Sequence, residues 1–229
     1  MVTMVSGCTR VIGLLGDPVT HSRSPQIHNA AFAACGLDFV YVPFAAAAAE
    51  LPAAVAGLRA LGLRGANVTV PHKVAAAGLL DELDETAAAL GAVNTIVVDE
   101  GRLRGFNTDV AGFARALAEV WEVPDAGRGP SATGGQEPAA APRALLLGAG
   151  GAARAVALAL ADLGFATTVV NRDLAKAERL VETIVAARAR GAGTVDGLSM
   201  LVWQAAAAFE LWTGVPAPVQ VMRDAAERT

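Results

Sequence analysis

An apolar run at residues 143–148 leads straight into Gly148-Ala149-Gly150-Gly151-Ala152-Ala153, and a second apolar run follows at residues 167–170. Strand, glycine turn, helix and strand make a βαβ unit, whose two strands lie parallel because a helical crossover joins them. The turn fits the G-x-G-x-x-G/A pattern, in which Gly148 allows the tight bend and Gly150 lets a ligand approach the backbone. The helix that follows points its free N–H groups and positive dipole end at a pyrophosphate. Asn171 and Arg172 close the second strand, 23 residues (171 − 148) beyond the first glycine. An NAD site ordinarily has Asp or Glu there, on the ribose hydroxyls. An amide and a guanidinium, with Lys176 one turn later, suit a 2′-phosphate, which favours NADP. The alternative is that Arg172 and Lys176 form an ordinary solvated helix start.

The same alternation runs through the first half. Strands are expected at residues 10–16, 39–44 and 65–70, with helices at 25–36, 51–62 and from Pro71 onward. Residues 92–99 and 101–105 read as a hairpin turning at Glu100-Gly101. A further helix is expected at 110–119, and the apolar stretch 198–212 reads as a packed helix. Between them, residues 124–142 (PDAGRGPSATGGQEPAAAP) cannot bury enough apolar area to order themselves and read as a flexible insert near a domain boundary. The fold class is α/β, with two units joined near residues 110–142.

Composition narrows the function classes. Of 229 residues 54% are hydrophobic and 17% charged, which excludes a disordered chain. Mean hydropathy is +0.44, yet alanine supplies much of it, and no uncharged run reaches the ~18 residues of a spanning helix. A net charge of −4 without a basic block argues against nucleic-acid binding. Cys8 and Cys35 form neither a metal spacing nor a disulfide framework, and His21, His28 and His72 share no zinc spacing. The start of the chain lacks the basic and apolar segments of a signal peptide. A cytoplasmic protein is expected, without metal, membrane or nucleic acid.

Three polar clusters stand at strand ends, where α/β folds build their sites. In His21-Ser22-Arg23-Ser24-Pro25, two hydroxyls beside a helix start can cradle a carboxylate; Ser24 taken alone reads better as an N-cap. In Asn67-Val68-Thr69-Val70-Pro71-His72-Lys73, Asn67 and Thr69 share one strand face. Lys73 falls at the strand-to-helix turn as either a proton donor or a surface lysine. The third cluster joins Asn94-Thr95 to Asn107-Thr108-Asp109. Its carboxylate can pair with Lys73, or Asp109 serves as an N-cap. Gln204 interrupts the last apolar helix and either reaches a ligand or lies on its solvated side.

Together the stretches HSRSPQIHN, GANVTVPHK, GAVNT, GFNTD, GAGGAAR, VVNRDLAKA and DGLSMLVWQAAAAFELWTG resemble the shikimate dehydrogenase family, in family order and across nearly the whole chain outside the insert. The resemblance implies an NADP-linked, reversible reduction of 3-dehydroshikimate to shikimate in aromatic amino-acid biosynthesis. It places Ser22 and Ser24 on the substrate carboxylate, and Thr69, Asn94, Asp109 and Gln204 on ring hydroxyls with Asn67 nearby. Lys73 becomes the general acid and Asp109 its partner. Gly148, Ala149, Gly150, Gly151 and Ala152 would cradle the pyrophosphate, and Asn171, Arg172 and Lys176 the 2′-phosphate. Gly197 and Met200 would lie beside the nicotinamide, and Glu85 more weakly on the cofactor side.

The implied layout is a substrate unit at residues 1–110, a connecting helix and insert at 111–142, a shortened Rossmann-like NADP-binding unit at 143–196, and C-terminal helices at 197–229 returning to the first unit. About 60 residues of the family pattern are missing before residue 196, judged from the strand count of a doubly wound sheet. They include a tyrosine-bearing strand; the one tyrosine here, Tyr41, lies elsewhere. Ser199 replaces a usual glycine. Apolar surface on a shortened half favours association, with a homodimer as the candidate. The alternatives are a relative with quinate as substrate and a non-catalytic binding remnant.

Overall fold

Residues 5–121, 142–147, 151–170 and 197–228 are described in the computed structural model. The first run contains β1 (Arg10–Gly16), α1 (Ser24–Ala34), β2 (Phe39–Ala45), α2 (Leu51–Ala60), β3 (Gly65–Val68) and α3 (Lys73–Ala77). It continues through β4 (Glu82–Leu83), α4 (Glu85–Leu90), β5 (Thr95–Asp99), β6 (Arg102–Phe106) and α5 (Asp109–Ala118). Then come β7 (Arg143–Leu147), α6 (Gly151–Asp162), β8 (Ala166–Val170), α7 (Gly197–Thr213) and α8 (Val219–Glu227).

Six strands form one sheet in the order β2-β1-β3-β5-β6-β4. β1 lies parallel to both β2 and β3, as helical crossovers require, while β5 runs antiparallel to β3 and β6. The expected hairpin turns at Glu100 and Gly101, both at positive φ (46° and 78°), the backbone twist a two-residue hairpin loop prefers. Alternation along β1 sends Ile12 and Leu14 into one core and Leu15 into another. The first core joins β1 and β2 to α1, α7 and α8; the second joins β1 and β3 to α2, α3 and α4. Helices therefore cover both faces, which is the α/β class.

α7 is the largest contributor to the first core. Val202, Ala205, Phe209 and Trp212 are buried, and each large side chain contributes about 1.5–3 kcal/mol by leaving water. Phe209 stacks on Phe32 with ring centroids 5.4 Å apart. The Trp212 indole donates to the Ile96 carbonyl at 2.9 Å, and it fits only because Gly65 has no side chain: a Cβ there would meet both Ile96 and Trp212.

β7 and β8 pair in parallel from Arg143↔Ala166 to Leu147↔Val170, with α6 as the crossover. Ala155, Ala159 and Leu160 are the buried side of α6. Among the described residues this second sheet has two strands. The glycine turn at 148–150, the segment 171–196 and the insert through residue 141 lie outside the described residues.

Local boundaries differ from the sequence expectation at four places. Ser24 is not the N-cap of α1; Arg23 is, with no side-chain cap bond, and Ser24 is already helical. Asp109 is likewise the first residue of α5 rather than its cap, a place held by Thr108. α3 opens at Lys73, two residues after Pro71. β4 and α4 were not expected, although α4 is marked by Asp84, whose carboxylate accepts the Ala87 N–H at 2.8 Å, and by Gly91 at φ 59°. Among the described residues, no helix is long and apolar enough to cross a membrane.

Candidate active site

The C-terminal ends of β1 and β3 and the first turns of α1, α3, α5 and α7 surround a cavity of about 410 Å³. Ser22, Ser24 and Arg23 form one side of it. The Ser22 hydroxyl accepts the Ser24 N–H at 3.2 Å, which holds the two serines close on the helix-start backbone. Asn67, Thr69 and Lys73 come from the β3–α3 segment, Asn94 from the entry to β5, and Asp109 from α5. Gly197, Met200, Leu201 and Gln204 close the other side from one face of α7, at the i, i+3, i+4, i+7 spacing of a helix.

Behind the cavity the polar groups are joined in one chain of hydrogen bonds. The Lys73 ammonium lies 2.6 Å from Asp109 Oδ2, with the two side chains 17% and 5% exposed. Asp109 Oδ1 accepts from Asn94 Nδ2 at 2.8 Å. Asn94 Oδ1 in turn accepts from the Thr108 N–H (2.8 Å) and the Thr95 hydroxyl (3.0 Å). Asn67 Nδ2 donates to the Asn94 carbonyl and to the Thr95 hydroxyl, at 3.0 and 3.1 Å. The chain ends at Tyr41, whose hydroxyl donates to Asn67 Oδ1 at 2.8 Å. Every amide is thereby oriented: Asn67 must turn its oxygen to Tyr41 and its nitrogen to β5. Buried networks of this kind are costly to leave partly satisfied, so the arrangement is rigid.

Tyr41 and the residues under it are what sequence reasoning missed. Burial pushes the Tyr41 phenol well above its usual range, so it stays a hydrogen-bond donor. His28 stacks on it at 4.5 Å with the rings 12° from parallel. Burial lowers His28 to about 3, with Asn67 offsetting only part of the effect, and the imidazole is neutral at ordinary pH. In the structure Phe39 and Tyr41 point inward at every second residue of β2, but the sequence FVYVPFA has no alternation of apolar and polar residues that would announce it. His21 lines the cavity as well. Glu85 opens α4 and is not among the residues lining this cavity.

On the cofactor side, Gly151 and Ala152 open α6, and Gly197 and Met200 line the cavity. Gly148, Ala149, Gly150, Asn171, Arg172 and Lys176 lie outside the described residues. The described frame fits a dinucleotide: a parallel strand pair joined through α6, whose N-terminus begins four residues after the end of β7.

Residues 14–96 match the family model of the shikimate dehydrogenase substrate binding domain, and residues 197–227 match that of the shikimate 5'-dehydrogenase C-terminal domain. The "Shikimate dehydrogenase (NADP(+))" of Moorella thermoacetica is 40% identical over 95% of this chain and 92% of its own length. This chain belongs to the shikimate dehydrogenase family. That alignment runs over 288 positions against 229 residues, so at least 59 of them (288 − 229) have no residue of this chain opposite. Among solved structures, a shikimate dehydrogenase in complex with NADP+ superposes with TM-score 0.81 at 32% identity, over 99% of this chain and 97% of that one. The Thermus thermophilus enzyme, in complex with NADP(H) and shikimate, gives 0.78 at 32% identity, over 96% and 99%.

Proposed function

We propose that this member of the shikimate dehydrogenase family is an NADP-dependent enzyme that interconverts 3-dehydroshikimate and shikimate. The observation that carries the proposal is the Lys73–Asp109 pair, 2.6 Å apart at the wall of a cavity with a pair of serines on its other side. A hydroxylated cyclohexene carboxylate needs those two ends. Ser22 and Ser24 would hold its carboxylate, and Thr69, Asn94, Asp109 and Gln204 its ring hydroxyls, with Asn67 beside them.

When bound, NADPH supplies a hydride to the substrate carbonyl carbon. Negative charge then develops on the carbonyl oxygen, and an ammonium placed there both stabilises it and gives up a proton. Lys73 is assigned that role, and the alcohol leaves with one added hydride and one added proton. Asp109 holds the ammonium in place and shares the ring hydroxyl next to it. For the cofactor, residues from Gly148 to Ala152 would take the pyrophosphate and Asn171, Arg172 and Lys176 the 2′-phosphate. Gly197 and Met200 would flank the nicotinamide. Arg172→Ala is then expected to weaken NADP binding much more than NAD binding, and equal losses would count against the 2′-phosphate assignment.

The proposed layout keeps the substrate unit at residues 1–110 and reads 143–196 as a shortened cofactor unit. Leu145 in β7 is 55% exposed and Trp121 before the insert 40% exposed, which supports a homodimer as the assembly. The free thiols of Cys8 and Cys35 suit a cytoplasmic setting.

The deciding experiment is steady-state reduction of NADP+ by the purified chain with shikimate. Turnover supports the dehydrogenase. A folded chain that binds shikimate without turnover is instead a binding remnant whose shortened cofactor half has lost hydride transfer.

A further inference from the structure

Glu119, immediately after α5, gathers polar groups from two other helices. Its Oε2 accepts the Ser199 hydroxyl at 3.0 Å, and its Oε1 accepts the Trp203 indole N–H at 2.8 Å. The Arg223 guanidinium from α8 lies 2.6 Å from the same Oε1 and donates through its other nitrogen to the Ser199 hydroxyl at 3.0 Å. Arg115, one turn back in α5, sits over the Trp203 ring at 5.5 Å. One carboxylate thus ties the exit of α5 to the first two turns of α7 and to α8. The two side chains of the ion pair are 22% and 32% exposed, so the pair stands at the surface and is only partly shielded from water.

Ser199 and Trp203 stand one turn apart on α7. At 100° per residue their face lies about 130° round the helix from the face carrying Gly197, Met200, Leu201 and Gln204. The cavity face and the Glu119 face are therefore rigidly linked. With side chains the helix is about 5–6 Å in radius, so a roll of about 20° would move a cavity-facing group by about 2 Å. A misplacement of about 1 Å near reacting atoms already costs on the order of a hundredfold in rate.

We propose that Glu119 is a positioning residue for the reaction: by holding Ser199 and Trp203 it sets the roll of α7 and so the placement of Gly197, Met200 and Gln204 at the cavity wall. This rests on the dehydrogenase reading above. Binding of the substrate draws mainly on Ser22, Ser24, Lys73, Asn94 and Asp109, which other elements carry. The effect of losing Glu119 therefore falls on turnover.

The test compares the full chain with Glu119→Ala and with the exchanged pair Glu119→Arg/Arg223→Glu. In the exchanged pair an ion pair can form again, but the arginine at 119 has no acceptor for the Trp203 N–H. Expected for Glu119→Ala is a fall in kcat of about tenfold with the KM for shikimate within threefold. The exchanged pair should regain melting temperature without regaining kcat. The methyl signal of Met200, followed by carbon-13 NMR without any ligand, should shift in Glu119→Ala. A kcat within twofold of the parent, rescue of kcat together with stability, or an unmoved Met200 signal would each overturn the proposal. If the parent shows no turnover, the dehydrogenase reading fails by itself, and the Met200 signal still decides the role of Glu119.

Discussion

Lys73 Nζ and Asp109 Oδ2 lie 2.6 Å apart, 36 residues from each other in the chain, and each residue is the first of its helix. The carboxylate suits the positive end of α5, and its second oxygen is held by Asn94. Nothing local to either residue requires the meeting; it follows from the two antiparallel steps from β3 to β5 and from β5 to β6, which leave the C-terminal ends of β3 and β6, and so the starts of α3 and α5, at one end of the sheet.

Replacing Lys73 by alanine removes the proton donor and leaves a buried carboxylate without its cation. Turnover should fall by about two to four orders of magnitude, the usual worth of a positioned acid or base. Steady-state kinetics measure this, and a loss smaller than tenfold would remove Lys73 from the acid role.

Tyr41→Phe tests the far end of the same network. It deletes the donor to Asn67 Oδ1, which is then buried without its partner. The expected cost is about 1–3 kcal/mol in urea unfolding, together with weaker shikimate binding as the Asn67 amide loses its fixed orientation. Unchanged stability would show that Asn67 finds another donor.

Gly112 tests the approach of α5 to α7. A Cβ there would stand 2.7 Å from both the Cβ and the backbone nitrogen of Gln204, and backbone cannot swing aside. Alanine ordinarily gains about 0.5–1 kcal/mol over glycine inside a helix, whereas overpacking costs about 1–3 kcal/mol. Gly112→Ala should therefore destabilise. Gly57→Ala, with nothing within 4 Å of the new methyl, should stabilise. Thermal melting of both variants gives the comparison; a stabilised Gly112→Ala would mean that α7 moves freely.

His28 gives a pH dependence with a definite sign. Its pKa is lowered from 6.5 to about 3, so between those values the unfolded chain binds the proton and the folded chain does not. Its contribution to stability is complete above about pH 6.5 and is lost as pH falls, at up to about 1.4 kcal/mol per pH unit. Denaturant melts of the parent and of His28→Phe at pH 7.5, 5.5 and 4.5 should show a steeper acid loss in the parent. Parallel curves would mean that His28 is already reached by water.

The order of the elements was legible because it is carried by local signals. Apolar runs of strand length and the Glu100-Gly101 hairpin each act over a few residues, and the structure keeps them. The same locality explains α4: Asp84 and Gly91 mark its ends, but six residues carry too little periodicity to announce a helix. Helix starts slipped by a residue at Ser24 and Asp109 because a side chain that can cap a helix can equally turn to another partner. Asp109 turned to Lys73 and Asn94, and charge pairing in a buried site outweighs a cap of about 1 kcal/mol.

By itself, then, the sequence determined the α/β alternation, the hairpin at Glu100-Gly101, the polar clusters at strand ends and the motifs that mark the family. Each is written in neighbouring residues, where backbone sterics and side-chain period act directly. Only the tertiary structure decided which clusters meet. Sheet order brings β3 beside β5, and packing of Phe209 and Trp212 returns α7 across the first unit, so that Gln204 faces Ser22 and Lys73 across one cavity. Tyr41 under Asn67 and Glu119 behind Met200 belong to that level as well, because contacts between distant residues are set by the packing of whole elements.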